Sequence, residues 1–183
     1  MKVQKKKNFT RDDLTKLFAQ KGFTKGAEVG VRNGRYSKKL CQENDKLHLL
    51  SVDAYDLVYA EQRTIGTGIK KHKQNYKRAK RLLSPYNCDL IVKTSLDAVR
   101  EIPYESLDFV YIDGSHEFDY VICDIIEWGK RVKKGGIISG HDYHKGEHIE
   151  VYDAVNIYCK MHSVRKIYIT DEKMPSWWFK RTW

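Results

Sequence analysis

Short apolar strands alternating with helical segments predict a three-layer α/β sandwich, with a seven-stranded, mostly parallel sheet and one antiparallel strand near the C-terminus. Three observations support this. Runs such as Asp108–Asp113 are apolar without a break, as strands covered on both faces must be. Amphipathic stretches such as Tyr120–Val132 separate them. The 183 residues contain three prolines, no repeat and no low-complexity linker at which to divide the chain. The expected organisation is a flexible basic head over residues 1–9 and a single domain over 10–183.

The elements follow in order. Thr10-Arg11-Asp12-Asp13 has capping-box spacing, so a helix begins there, presents Leu14, Leu17 and Phe18 on one face and stops at Gly22. Ala27–Val31 and His48–Asp53 are strands, with a helix over Arg35–Glu43 between them. A long basic helix over Ile69–Leu83 leads to a strand at Asp89–Lys93 and a short helix at Leu96–Arg100. The Asp108–Asp113 strand, the Tyr120–Val132 helix and a Gly136–Ser139 strand come next. A helix over Val151–Met161 precedes two closing strands, Arg165–Thr170 and Trp177–Lys180, which Pro175 and Ser176 turn into a hairpin.

Composition narrows the function classes. Hydrophobic residues at 41% and charged ones at 32% describe a soluble globular domain, and no apolar run approaches the ~18 residues of a membrane span. The basic N-terminus lacks an apolar segment behind it, so it does not read as a secretory signal. Cys41, Cys88, Cys123 and Cys159 are scattered without a C-x-x-C pair, which suggests buried thiols in a reducing compartment, the cytoplasm. The net charge of +10 concerns surface field and partners rather than fold.

In open parallel sheets, ligands bind outside the carboxyl ends of the strands. Read there, the chain has Glu28-Val29-Gly30-Val31-Arg32-Asn33-Gly34 after the first strand of the alternation and Asp53 after the next. Thr94-Ser95-Leu96, Asp113-Gly114-Ser115-His116 and Gly140-His141-Asp142-Tyr143 follow the later strands. Gly30 and Gly34 would let the backbone turn and approach a ligand, and the Asp53 carboxylate would accept bonds from both ribose hydroxyls. Dinucleotide sites use G-x-G-x-x-G against a pyrophosphate, but Ala27-Glu28 stands where the first glycine would be. A carboxylate there repels pyrophosphate and suits a ligand bearing an ammonium and a sulfonium. S-adenosylmethionine is therefore favoured over NAD.

With these residues in place, the chain resembles the Rossmann-like, class I S-adenosylmethionine-dependent methyltransferases. It is most similar to a small group with IDG-x-H after one strand and GG-x-x-x-x-DY after the next, which includes sugar, macrolide and catechol-type O-methyltransferases. The likeness spans roughly residues 24–183, including Asp108–His116, Lys133-Lys134-Gly135-Gly136, Gly140–Tyr143 and Pro175-Ser176-Trp177. It implies that Glu28, Gly30, Gly34 and Ser37 line the methionine end of the cofactor, with Asp113 also beside it. It implies too that Asp53 holds the ribose, and that Ser95 and Leu96 flank the adenine. It also implies a divalent metal on Asp113 and Asp142 and a general base at His116. Where metal-dependent relatives have a second acid beside Asp142, this chain has His141, which fits a transition metal better than magnesium.

The expected reaction is O-methylation of a hydroxyl on a sugar, other small molecule or glycan. Ala54–Lys70, with Tyr55, Tyr59, Gly66 and Gly68, would form a mobile cover, and Tyr143 and Trp177 offer either flat faces to a ring or ordinary packing. With no separate lid domain, the acceptor is large or a second subunit completes the pocket. The basic run Lys70–Arg81 leaves open a nucleic-acid (ribose) methyltransferase or a basic nucleic-acid-binding module on the cofactor fold. An NAD-linked oxidoreductase is the remaining rival.

Overall fold

The computed structural model describes residues 1–55, 69–146 and 149–183. Its strands are β1 (Lys2–Lys5), β2 (Lys25–Val29), β3 (His48–Val52), β4 (Cys88–Ile91), β5 (Leu107–Ile112), β6 (Val132–Gly140), β7 (Lys166–Ile169) and β8 (Trp177–Lys180). The helices are α1 (Arg11–Gln20), α2 (Arg35–Glu43), α3 (Ile69–Leu83), α4 (Ser95–Arg100), α5 (Phe118–Arg131) and α6 (Val151–Met161). The eight strands lie in one sheet of order β1-β7-β8-β6-β5-β2-β3-β4, parallel except for β8, which runs antiparallel to both neighbours.

Period-two alternation decides which helices cover which face. In β5, Phe109 and Tyr111 join Leu14, Phe18, Tyr36 and Leu40 of α1 and α2 on one side. Val110 and Ile112 face Val121, Ile125 and Trp128 of α5 and Val155 of α6 on the other. Sealing aromatic and branched side chains at about 25 cal/mol per Å² of apolar area makes these two layers the main stabilising contribution. At the entry to α1, the Asp13 carboxylate accepts from the Thr10 N–H at 2.9 Å and from its hydroxyl at 2.9 Å, so the capping box forms as the spacing predicts.

Two differences from expectation concern the edge of the sheet and the cysteines. The structure has eight strands, because Lys2–Lys5, within the head expected to be flexible, pairs in parallel with Lys166–Ile169. Every residue of β1 is exposed, so its sequence carries no apolar alternation. Backbone bonds hold it, from Lys2 N–H to the Arg165 carbonyl and from Lys6 N–H to that of Ile169, both 2.9 Å. Its lysines mark a charged edge that resists further pairing. Cys123 is exposed and Cys88 half-buried, unlike the uniformly buried thiols expected; all four cysteines are free.

β2 is the first strand of the alternating unit. From it the chain winds outward through β3 and β4, then returns to the other side of β2 as β5. That reversal opens a crevice between β2 and β5. Val29 is in register with both Val52 and Ile112, and Ile112 with Gly140. Gly30, Asp53, Asp113 and His141 therefore leave the sheet along one edge.

Candidate active site

At that edge, Asp113, Ser115, His116, His141, Asp142 and Trp177 line a small cavity. Asp142 is the hub. Its Oδ2 lies 2.9 Å from His116 Nε2 and its Oδ1 2.9 Å from His141 Nδ1. The backbone at Asp142 is left-handed (φ +58°), a conformation that aspartate tolerates better than most residues and that aims its carboxylate between the two imidazoles. Burial pushes the Asp142 carboxyl up, but hydrogen bonds from His116 and His141 outweigh it, and the group titrates well below the usual range. The same contact with Asp142 raises His116 above the ordinary imidazole value.

Asp113 sits 3.8 Å from His141 Nδ1 through Oδ1 and accepts a 2.8 Å bond from Arg11 Nη2 through Oδ2. Burial raises its carboxyl against the pull of Arg11 and His141. Asp113, His141 and Asp142 each offer one ligand atom, and those atoms lie within 4.8 Å of one another. The outer oxygens of the two carboxylates are held by Arg11 and His116; the inner oxygen of Asp142 is bonded to His141 Nδ1, so an ion would take the place of the proton these two atoms share. One imidazole with two carboxylates fits a divalent transition ion.

The other predicted residues are distributed differently. Glu28 projects from β2 toward α2, where the Ser37 hydroxyl donates to its Oε2. Both side chains are sealed from solvent, and burial pushes the Glu28 carboxyl up to about 8 against Ser37 and Arg11. Asp53 accepts from the N–H groups of Val31 (3.0 Å), Arg32 (2.7 Å) and Tyr55 (2.8 Å), which pins the glycine turn. Gly30 (φ +92°) and Gly34 (φ +78°) make that turn, but the space they provide is taken by the protein itself. A Cβ on Gly30 would stand 2.0 Å from the Asp113 carbonyl oxygen, and one on Gly34 3.0 Å from Ala79 Cα. The Ser95 hydroxyl donates to Asp124 Oδ1 and accepts from Trp128 Nε1, while Leu96 is exposed beside it.

Trp177 is fully buried at the edge of the cavity, with its Nε1 donating to the His141 carbonyl, and Tyr143 packs on Tyr152. Of the expected cover, Tyr55 belongs to the core; residues 56–68, with Tyr59, Gly66 and Gly68, lie outside the described residues. Two participants had no sequence signal of their own. Arg11 was legible only as part of a capping box. Asp124, pushed up to about 6 by burial against the Ser95 bond, looked like one polar residue of an amphipathic helix.

Residues 27–143, well over half of the chain, match a family described as a methyltransferase domain. The chain belongs to this methyltransferase family. The matched segment runs from β2 to the loop after β6 and so contains the Gly30 turn, Asp53, Ser95, the Asp113–His116 segment and Asp142. Among solved structures, the methyltransferase shares its fold with an O-methyltransferase from Bacillus cereus in complex with SAH (14% identity, 93% of this chain and 80% of that one, TM-score 0.66). It shares it also with the O-methyltransferase TomG from Streptomyces achromogenes, involved in tomaymycin synthesis and bound to SAM (12%, 93% and 79%, 0.65). A methyltransferase from Geobacter sulfurreducens aligns similarly (13%, 94% and 78%, 0.65). No curated protein sequence matches the chain. Among the described residues, no helix is long and apolar enough to cross a membrane.

Proposed function

We propose that this methyltransferase moves the methyl group of S-adenosylmethionine onto a hydroxyl of a small molecule or glycan. The observation that carries this reading is the His116–Asp142 pair beside Asp113 at the switch point of the sheet. A carboxylate accepting from Nε2–H fixes the imidazole tautomer and leaves Nδ1 as the basic atom. That nitrogen takes the hydroxyl proton as the substrate oxygen forms its bond to the methyl carbon. The carbon–sulfur bond breaks, its electron pair returns to sulfur, and S-adenosylhomocysteine leaves. Asp142 then neutralises the imidazolium.

The sulfonium methyl is already activated, so in-line alignment contributes most, up to ~7–11 kcal/mol, and the base a further ~10²–10⁴-fold. The cofactor would lie across the Gly30–Gly34 turn, its amino-acid end toward Asp113, while the sealed Glu28–Ser37 pair would support the turn without touching the ligand. A carboxylate has about four acceptor positions; three on Asp53 serve the backbone, leaving one for a ribose hydroxyl. Ser95 spends its hydroxyl on Asp124 and Trp128, so the adenine would meet the α4 backbone and the Leu96 side chain. A divalent ion on Asp113, His141 and Asp142 would lower the pKa of the acceptor hydroxyl.

A ribose hydroxyl in nucleic acid is the second reading, favoured by the exposed side chains of Lys71, Lys77, Arg78, Lys80 and Arg81 on α3. Calorimetry with S-adenosylhomocysteine tests the cofactor. Tritiated methyl transfer to hydroxyl-bearing sugars, catechols and RNA tests the acceptor. Binding of the homocysteine product with sugar or catechol labelling is expected; NAD binding in its place, or label on nitrogen only, would overturn the reading.

A further inference from the structure

The amino-acid end of the proposed cofactor carries a carboxylate as well as an ammonium, and the crevice is rich in acids. Asp113 and Asp142 suit the ammonium and sulfonium but repel the carboxylate. Among the described residues, the guanidinium that reaches this acidic cluster is Arg11, the first residue of α1, outside the family-matched segment.

Arg11 is held from several directions. Its side chain lies over the Tyr36 ring at 3.9 Å and near Tyr111 at 5.0 Å. Its backbone N–H donates to Glu172 Oε2 at 2.7 Å, and its carbonyl accepts from the Tyr36 hydroxyl at 3.3 Å. Of its five N–H donors, Nη2 supplies one to Asp113, and Nε is buried without a partner. Nη1 makes no hydrogen bond among the described residues and, unlike Nε, is not sealed; 24% of the side chain is exposed. A planar cation stacked on one ring, anchored at one nitrogen and open at another is preorganised for a carboxylate.

We infer that Arg11 is a cofactor-binding residue that receives the α-carboxylate of S-adenosylmethionine through Nη1 while Nη2 keeps its bond to Asp113. The inference rests on the proposed cofactor. It makes the amino-acid end of the ligand a matched set, with Asp113 toward the ammonium and Arg11 toward the carboxylate. It also gives α1, which precedes the family-matched segment, a direct part in cofactor selection.

The test compares two ligands by calorimetry: S-adenosylhomocysteine and its decarboxylated analogue, which keeps the amine and lacks the carboxylate. A charge-assisted bond of this kind corresponds to a preference of about 10–100-fold for the carboxylate form in the wild type. Arg11→Met should bring that ratio near one, and Arg11→Lys should keep part of it. General damage to the site weakens both ligands alike and leaves the ratio standing, and a ratio that survives Arg11→Met overturns the inference. So does a wild type that binds both ligands equally, even if Arg11→Met cannot be folded. Wild-type protein that binds neither ligand sinks the cofactor reading itself, a separate outcome.

Discussion

Replacing Gly30 by alanine tests whether the turn is built for the protein's own packing. The residue sits at φ +92°, and an added Cβ would lie 2.0 Å from the Asp113 carbonyl oxygen and 2.7 Å from the Gly114 nitrogen. Both are backbone atoms, so no flexible side chain can swing away. The positive φ costs an L-residue about 1–2 kcal/mol, and overpacking against fixed atoms adds about 1–3 kcal/mol. The sum, about 2–5 kcal/mol, corresponds to a fall in Tm of about 4–20 °C for a chain of this length. Urea unfolding should show a lower midpoint with an unchanged slope, since the surface exposed on unfolding hardly differs. Affinity for S-adenosylhomocysteine should fall too, because relief of the clash moves the Asp113 backbone. A Gly30→Ala protein with the wild-type midpoint would refute the packing account of this glycine.

Other expectations follow from the imidazole–carboxylate hub and the buried acid. His116→Ala should lower the turnover number by about 10²–10⁴-fold while calorimetry shows unchanged binding of S-adenosylhomocysteine; equal turnover removes it as base. Asp142 raises the His116 pKa, so the rate should climb with pH through a midpoint above the free imidazole value of ~6.5. Asp142→Asn should move that midpoint down, and a profile that stays put argues against the pair. For stability, the raised His116 contributes fully below ~6.5, and its contribution is lost as pH rises through its folded value. The depressed Asp142 contributes above ~3.9, and that is lost as pH falls toward its folded value. Glu28, at about 8, favours the folded state below the ordinary carboxyl pKa of ~4.3, and this advantage disappears as pH rises through 8. Glu28→Gln should therefore gain Tm relative to wild type between pH 6 and pH 9, and a constant gap across that range would count against the burial account.

Much of the site was legible because its residues follow strands whose apolar runs are unmistakable. Asp53, Asp113, His116, His141 and Asp142 all lie within a few residues of a strand end, so fixing the strands fixed their neighbourhood. The hub at Asp142 was not legible. Nothing in Gly140–Tyr143 says that one carboxylate turns between two imidazoles, one of them on a different loop. The glycines were visible, but the atoms that fill the space beside them were not, because Asp113 and Ala79 are distant in sequence. β1 escaped notice because exposed backbone pairing leaves no hydrophobic pattern. Arg11 was hidden for a related reason: its place depends on Glu172, Tyr36 and Asp113, contacts from three separate parts of the chain.

Sequence alone determined the layered α/β architecture, the capping of α1 and the acids at the strand tips, since these depend on periodicity and local chemistry over a few residues. Tertiary structure alone decided the partners. It set Arg11 on Asp113, Ser37 on Glu28, Ser95 between Asp124 and Trp128, and Asp142 between His116 and His141. Strand identity is written in neighbouring residues, whereas a hydrogen bond between groups 26 or 102 positions apart exists only once the sheet order and register bring them within 3 Å.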